Sequence, residues 1–233
     1  MLPTLLCTKT GDPFQPLRLY YDLRDVAAIA RVLDGLRCIE HDREAGHWTW
    51  RYVHEAASLV FPQARRTLPK GETIVLGTFT LHDGRLVFST RSLQRGVHAL
   101  RFFAPRFLEA AVVARFRVVN RWFDACEGAG GFERLDAMLD EGVTFNDSPE
   151  EREKTSRQLG PAAEGPTVEQ ILAADVPPIE DSPANPEDET PDFENLKFQL
   201  ELRLMRAEAR WKGDAEATIG SIMLRLAAAA GVS

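Results

Sequence analysis

Between Thr73 and Leu81 apolar and β-branched residues occupy both faces of an alternating run. Val75, Phe79 and Leu81 share one side; Ile74, Leu76 and Thr78 share the other. A strand apolar on both sides belongs inside a sheet rather than at its edge. Asp83-Gly84 follows, and this pair suits a two-residue hairpin turn because both positions need positive φ. Arg85 to Ser89 is the return strand. Ser89, Thr90 or Ser92 then caps a helix running to about Phe103, with Leu93, Val97, Leu100 and Ala104 at helical spacing, and Pro105 is expected to stop it.

The same rules parse the chain on either side. Residues 1–16 read as an irregular arm, and Leu17–Tyr21 as a short strand. Asp22 is expected to cap a helix from Leu23 to Leu33 with a stripe of Val26, Ile29, Ala30 and Leu33, ended by Gly35. Leu36–His41 and His47–Val53 are strands about a turn at Asp42–Gly46. Trp48, Trp50 and Tyr52 share a face that reads as hairpin core, the competing reading being a stacking platform for bases. Ala111–Asn120 alternates as a strand with Arg115 and Arg117 on its more exposed side. Arg121–Glu127 and Phe132–Asp140 look helical, and Val143–Phe145 forms a last short strand. The expected fold class is α+β: a mainly antiparallel sheet with helices on one side. The opening strand–helix–strand–strand order is compatible with a ferredoxin-like arrangement.

Past residue 146 the pattern changes. Eight of the fourteen prolines fall between Asp147 and Pro191, where aromatics are absent and acids dominate. The expectation is a domain over 1–146, an acidic Pro-rich linker over 147–191 and a C-terminal amphipathic helical pair over 192–233. One helical island, residues 167–174, interrupts the linker; Thr167 and Gln170 have the spacing of a capping box. Asp192 is expected to cap a helix from Phe193 to Lys212, and Asp214 the one after it. Phe193, Leu196, Leu200, Leu204 and Trp211 line the first of the pair; Ile219 and Met223 belong to the second. Two such stripes need a covering surface, which this domain, a second copy or another protein could supply.

Charge sharpens this division. The net charge of −7 is uneven: residues 1–143 hold 19 basic and 17 acidic residues, residues 144–195 hold 3 and 14, and residues 196–233 hold 6 and 4. The acidity therefore belongs to the linker. Within the domain, Arg85–Arg121 is basic and interleaved with phenylalanine, a composition that suits polyanions. Arg91, Arg95, His98, Arg101, Arg115, Arg117 and Arg121 are the candidate polyanion-binding residues. The acidic linker could neutralise that surface from within the chain.

Chemistry adds little. Cys7, Cys38 and Cys126 have no paired spacing, which fits a reducing, cytoplasmic setting of bacterial type and offers no zinc motif. Cys38, His41, His47 and His54 are close in sequence but badly placed for one ion, so no metal and no cofactor are expected. No nucleophile motif and no apolar run long enough for a membrane helix occur, and no membrane partner is expected. The leading reading is a non-catalytic intracellular adaptor, regulatory or assembly protein. It would bind another protein, or itself, through Ile171, Leu172, Phe193, Leu196, Leu200, Leu204, Trp211, Ile219 and Met223. The alternatives are a nucleic-acid-associated protein using the arginine surface and an enzyme of unknown class.

Overall fold

The computed structural model describes residues 4–62, 72–127, 135–145, 167–184 and 193–231. The first strand in the chain is central in the sheet. β1 (Leu17–Leu23) pairs antiparallel with β5 (Arg85–Thr90) on one side and with β6 (Ala111–Val119) on the other. Beyond β5 the sheet continues antiparallel through β4 (Val75–His82) and β3 (His47–Arg51) to β2 (Ile39–Asp42) at one edge. Beyond β6 lies β8 (Ile179–Pro183), antiparallel to it. β7 (Thr144–Phe145), parallel to β8, forms the far edge. The mainly antiparallel α+β architecture agrees with the sequence reading. The ferredoxin-like arrangement does not hold, because β1 sits between β5 and β6 and β2 lies at the edge.

Three helices cover one face: α1 (Val26–Gly35), α2 (Leu93–Phe107) and α5 (Phe193–Trp211). Leu17, Leu19, Phe79, Phe88, Phe116 and Val118 from the strands share a core with Ile29 and Leu33 of α1, Leu93, Leu100 and Phe103 of α2, and Leu196 and Leu200 of α5. Trp50 is fully buried there, its ring 5.1 Å from Phe103 and 5.9 Å from Phe88, so this aromatic face is core and not a stacking platform. On the other face, α3 (Leu135–Asp140) packs Leu139 against Phe14, Val119 and Phe123. Two further helices, α4 (Val168–Ala173) and α6 (Ile219–Ala229), dock together. Thr218 Oγ1 donates to the Leu172 carbonyl at 2.7 Å, and the Gly220 N–H donates to that of Ala174 at 3.0 Å. Among the described residues no helix is long and apolar enough to cross a membrane.

The hairpin turn is as expected, with φ of 49° at Asp83 and 76° at Gly84. Ser92 caps α2, and the Thr167–Gln170 box closes at 2.8 and 3.3 Å. Pro105 does not stop α2, which runs on to Phe107. Phe107, two residues past the proline, is buried, and burying such a ring at about 1.5–3 kcal/mol offsets most of the ~3 kcal/mol cost of a proline in the last turns. The cap of α1 is Asp25, whose carboxylate accepts from the Ala28 N–H, rather than Asp22. Arg121–Glu127 is not a helix: Asp124 bridges to Leu5, tying down the N-terminal arm. α6 is capped by Thr218, not Asp214.

The largest difference lies in the acidic segment. Residues 179–183, expected to be linker, are a strand inside the sheet, and the island folds as α4 against α6. The rest of the expected linker, 147–166 and 185–191, and the Asp192 cap lie outside the described residues.

Candidate partner-binding groove

β6 alternates two kinds of side chain. Phe116 and Val118 enter the helix-covered core, and Arg115 and Arg117 point to the other face. β8 lies beside it in a register that pairs Val118 with Glu180, Arg117 with Asp181 and Phe116 with Ser182. Consecutive residues of a strand face opposite ways, so the two acids of β8 are delivered to opposite sides of the sheet.

On the open face Asp181 is 2% exposed. Its carboxylate accepts from Arg115 Nε at 2.7 Å and Nη2 at 2.5 Å, and from Arg117 Nε at 2.8 Å. On the helix face Glu180 has no exposure at all. It accepts from Arg203 Nε at 3.0 Å and Nη2 at 2.6 Å, from Asn120 Nδ2 at 2.6 Å and from Ser182 Oγ at 2.8 Å. Carboxylates this deep persist only when several donors meet them. Just upstream, Asp175 accepts from Arg206 at 2.5 and 2.7 Å and from Arg210 at 2.9 Å. Burial works against its ionisation. The Arg206 hydrogen bond, the Val176 N–H and the charges of Arg206 and Arg210 outweigh it and hold the carboxyl below its ordinary value.

Main-chain bonds run the length of the segment. The Asn120 N–H donates to the Pro178 carbonyl at 2.7 Å, and its Nδ2 to that of Pro177 at 2.8 Å. The Ala184 N–H donates to the Ala114 carbonyl at 2.8 Å. Residues 175–184 therefore lie in a groove of β6 and α5 as an extended peptide would, with backbone pairing for attachment and carboxylate pockets for selectivity. Acids of α3 extend the pattern: Arg18 reaches Asp140 at 2.7 Å and also Asp136, and Arg117 reaches Asp140 too. The Arg117 guanidinium lies 5.6 Å from the rings of both Tyr20 and Phe145.

The other residues proposed for polyanions do not gather on one surface. Arg95 is 3% exposed; its Nε and Nη2 donate to Thr10 Oγ1 at 3.0 and 2.8 Å, and its Nη1 to the Val75 carbonyl. Burial pulls this guanidinium down to about 10, against the opposing charge of Asp12. Arg91 lines a surface cleft with Arg95, Thr78 and Ser89. His98 packs edge-on to Phe61 at 4.7 Å, Arg101 is 3.6 Å from Glu201, and Arg121 bonds Glu127 at 2.9 Å.

The proposed partner residues also divide. Leu196 and Leu200 are core, with Phe193 and Leu204 packed against it, so this chain's own domain covers most of that stripe. Trp211 lies 6.5 Å from Trp122, and Ile219 is half-buried. Leu172 and Met223 remain outward, each 44% exposed. Ile171 falls in α4, its side chain outside the described residues.

Sequence reasoning missed Asp175, Glu180, Asp181, Asn120, Arg203 and Arg206. The available signal was the charge segregation: an acidic segment placed against an arginine-rich remainder. Among the described residues no three His, Cys, Asp or Glu side chains are placed to share a metal ion. Cys38 is buried, and burial with Glu55 nearby pushes its thiol up to about 11, which leaves it inert. Comparison with protein families, with curated proteins and with solved structures finds no match to this chain.

Proposed function

We propose that this chain is a non-catalytic protein-interaction protein of adaptor or regulatory type. In this reading the acidic segment 175–184 is a built-in ligand covering the groove between β6 and α5. The observation that carries it is Asp181, a buried carboxylate clamped by Arg115 and Arg117 in the register of an added strand. Strand addition is a recurring mode of peptide recognition, with main-chain bonds giving affinity and side-chain pockets giving selectivity; here the added strand also carries the two residues of β7 on its far side. Leu172 and Met223, outward on the two helices that dock together, offer a partner a second, apolar contact.

The test is the elution of the full chain from heparin, before and after Asp181→Asn. A covered groove predicts weak retention of the wild type. The variant then gains salt-sensitive retention, because the Asp181 charge that both Arg115 and Arg117 engage is gone, although Arg117 still reaches Asp140. A folded variant eluting with the wild type contradicts the reading. Strong retention of the wild type itself favours the nucleic-acid alternative.

A further inference from the structure

We infer that the groove between β6 and α5 is a receptor for an extended acidic peptide, and that a partner protein supplies such a peptide in exchange for residues 177–184. The inference rests on the masking reading above and gives the partner its chemistry.

The bound segment defines what the groove reads. Glu180 and Asp181 are adjacent yet enter pockets on opposite faces, Arg203 with Asn120 on one and Arg115 with Arg117 on the other. Only an extended backbone presents neighbouring side chains that way; on a helix they would diverge by about 100°. The groove also requires a ligand that both accepts and donates along its main chain. Asn120 offers an N–H to Pro178, and Ala114 offers a carbonyl to the Ala184 N–H. A phosphate backbone has no donor for the Ala114 carbonyl, so the geometry favours a peptide over a nucleic acid. Prolines fit at both ends. Pro177 and Pro178 are held by their carbonyls, and Pro183 ends the strand, where a missing N–H does least harm. The recognised pattern is therefore two prolines, an apolar residue packed as Ile179 is against the Phe14–Val119 cluster, two acids, a small residue and a proline.

The resident segment is tethered, three residues past the docked α4 at its start and 8 residues before Phe193 at its end. Tethering gives it an effective concentration on the order of millimolar, so a peptide added in trans competes poorly until the resident contact is weakened.

The experiment is an anisotropy titration of a labelled peptide of residues 175–186 against the full chain, wild type and Asp181→Asn. The variant should bind about tenfold or more tightly than the wild type, as expected for one set of charge-assisted bonds moved from cis to trans. A peptide with Gln in place of Glu180 and Asn in place of Asp181 should not bind. Equal weak binding to both folded proteins, or undiminished binding of the Gln/Asn peptide, overturns the proposal. A variant that gains heparin retention but not peptide affinity sinks the peptide and leaves the masking intact; a variant that gains neither sinks both. Should Asp181→Asn not fold, the wild type titrated to roughly millimolar peptide serves instead. The amide NMR signals of Ile179, Glu180 and Asp181 should then move towards those of the free segment, and signals that stay in place overturn the inference.

Discussion

Glu180 on β8 and Arg203 on α5, 23 positions apart in the chain, form an ion pair with almost no access to water: Arg203 donates from Nε at 3.0 Å and from Nη2 at 2.6 Å. The pair fastens the acidic segment to the helix that completes the core. Breaking it from one side leaves a buried charge without its partner, at about 3–5 kcal/mol. Glu180→Ala should lower the denaturant midpoint by an amount of that size. Glu180→Leu combined with Arg203→Met should recover part of the loss, since an apolar pair of similar volume removes the unpaired charge while Asn120 and Ser182 still lose an acceptor. A double variant as unstable as Glu180→Ala would show that the site needs charge.

A second prediction concerns how closely α2 lies on β1. A Cβ built at Gly96 would stand 2.0 Å from Leu17 Cδ2, and Leu17 has no exposure. Helix propensity favours alanine over glycine by about 1 kcal/mol, but overpacking a filled core costs roughly 1–3 kcal/mol. The steric term should win, so Gly96→Ala lowers thermal stability. Leu17→Val in the same chain should return part of it.

Stability should also fall on mild acidification. Burial is the main reason His98 sits below its ordinary value of 6.5, with the charge of Arg101 adding to it and that of Asp12 opposing. A lowered histidine is neutral in the folded chain, so below pH 6.5 the unfolded chain takes up the proton first and folding loses free energy. Asp175 acts lower on the scale. Its carboxyl is held under 3.8, so its contribution is complete above that value and is lost as pH falls through the lower folded one. Urea melts at pH 7 and 5.5 should show a drop for the wild type that is smaller in His98→Leu. A further loss below pH 4 should be smaller in Asp175→Asn.

What the sequence could and could not disclose follows from the range of each interaction. The turn at Asp83-Gly84, the Ser92 cap and the Thr167–Gln170 box are closed by residues within three positions of one another, and all were legible. The apolar stripe of α5 was legible too, but not its covering surface, because Leu196 and Leu200 join a core that α2 and the strands build from far earlier in the chain. β8 was hidden for a stronger reason. Ile179–Pro183 has two acids and a proline in five residues, and its burial depends on arginines of β6 and α5 that no local rule connects to it. Charge imbalance alone hinted at the match.

The C-terminal pair is consequently no appendage. Removing residues 193–233 would strip Leu196 and Leu200 from the core and Arg203 from Glu180. Burial of two leucines alone is worth about 3–6 kcal/mol, comparable to the whole stability of many domains. A chain ending at residue 192 should lose its cooperative unfolding transition by circular dichroism; a sharp transition retained would show that the core closes without α5.

The most direct measurement is hydrogen exchange on the full chain, wild type against Asp181→Asn. A resident ligand should loosen by itself. Amides of Ile179–Ser182 and of the β6 stretch Ala114–Asn120 should then exchange faster in the variant, while those of β1, β4 and β5 keep their protection. Unchanged protection of Ile179–Ser182, or loss spread evenly over the whole sheet, would contradict it, making β8 an inseparable strand of the core.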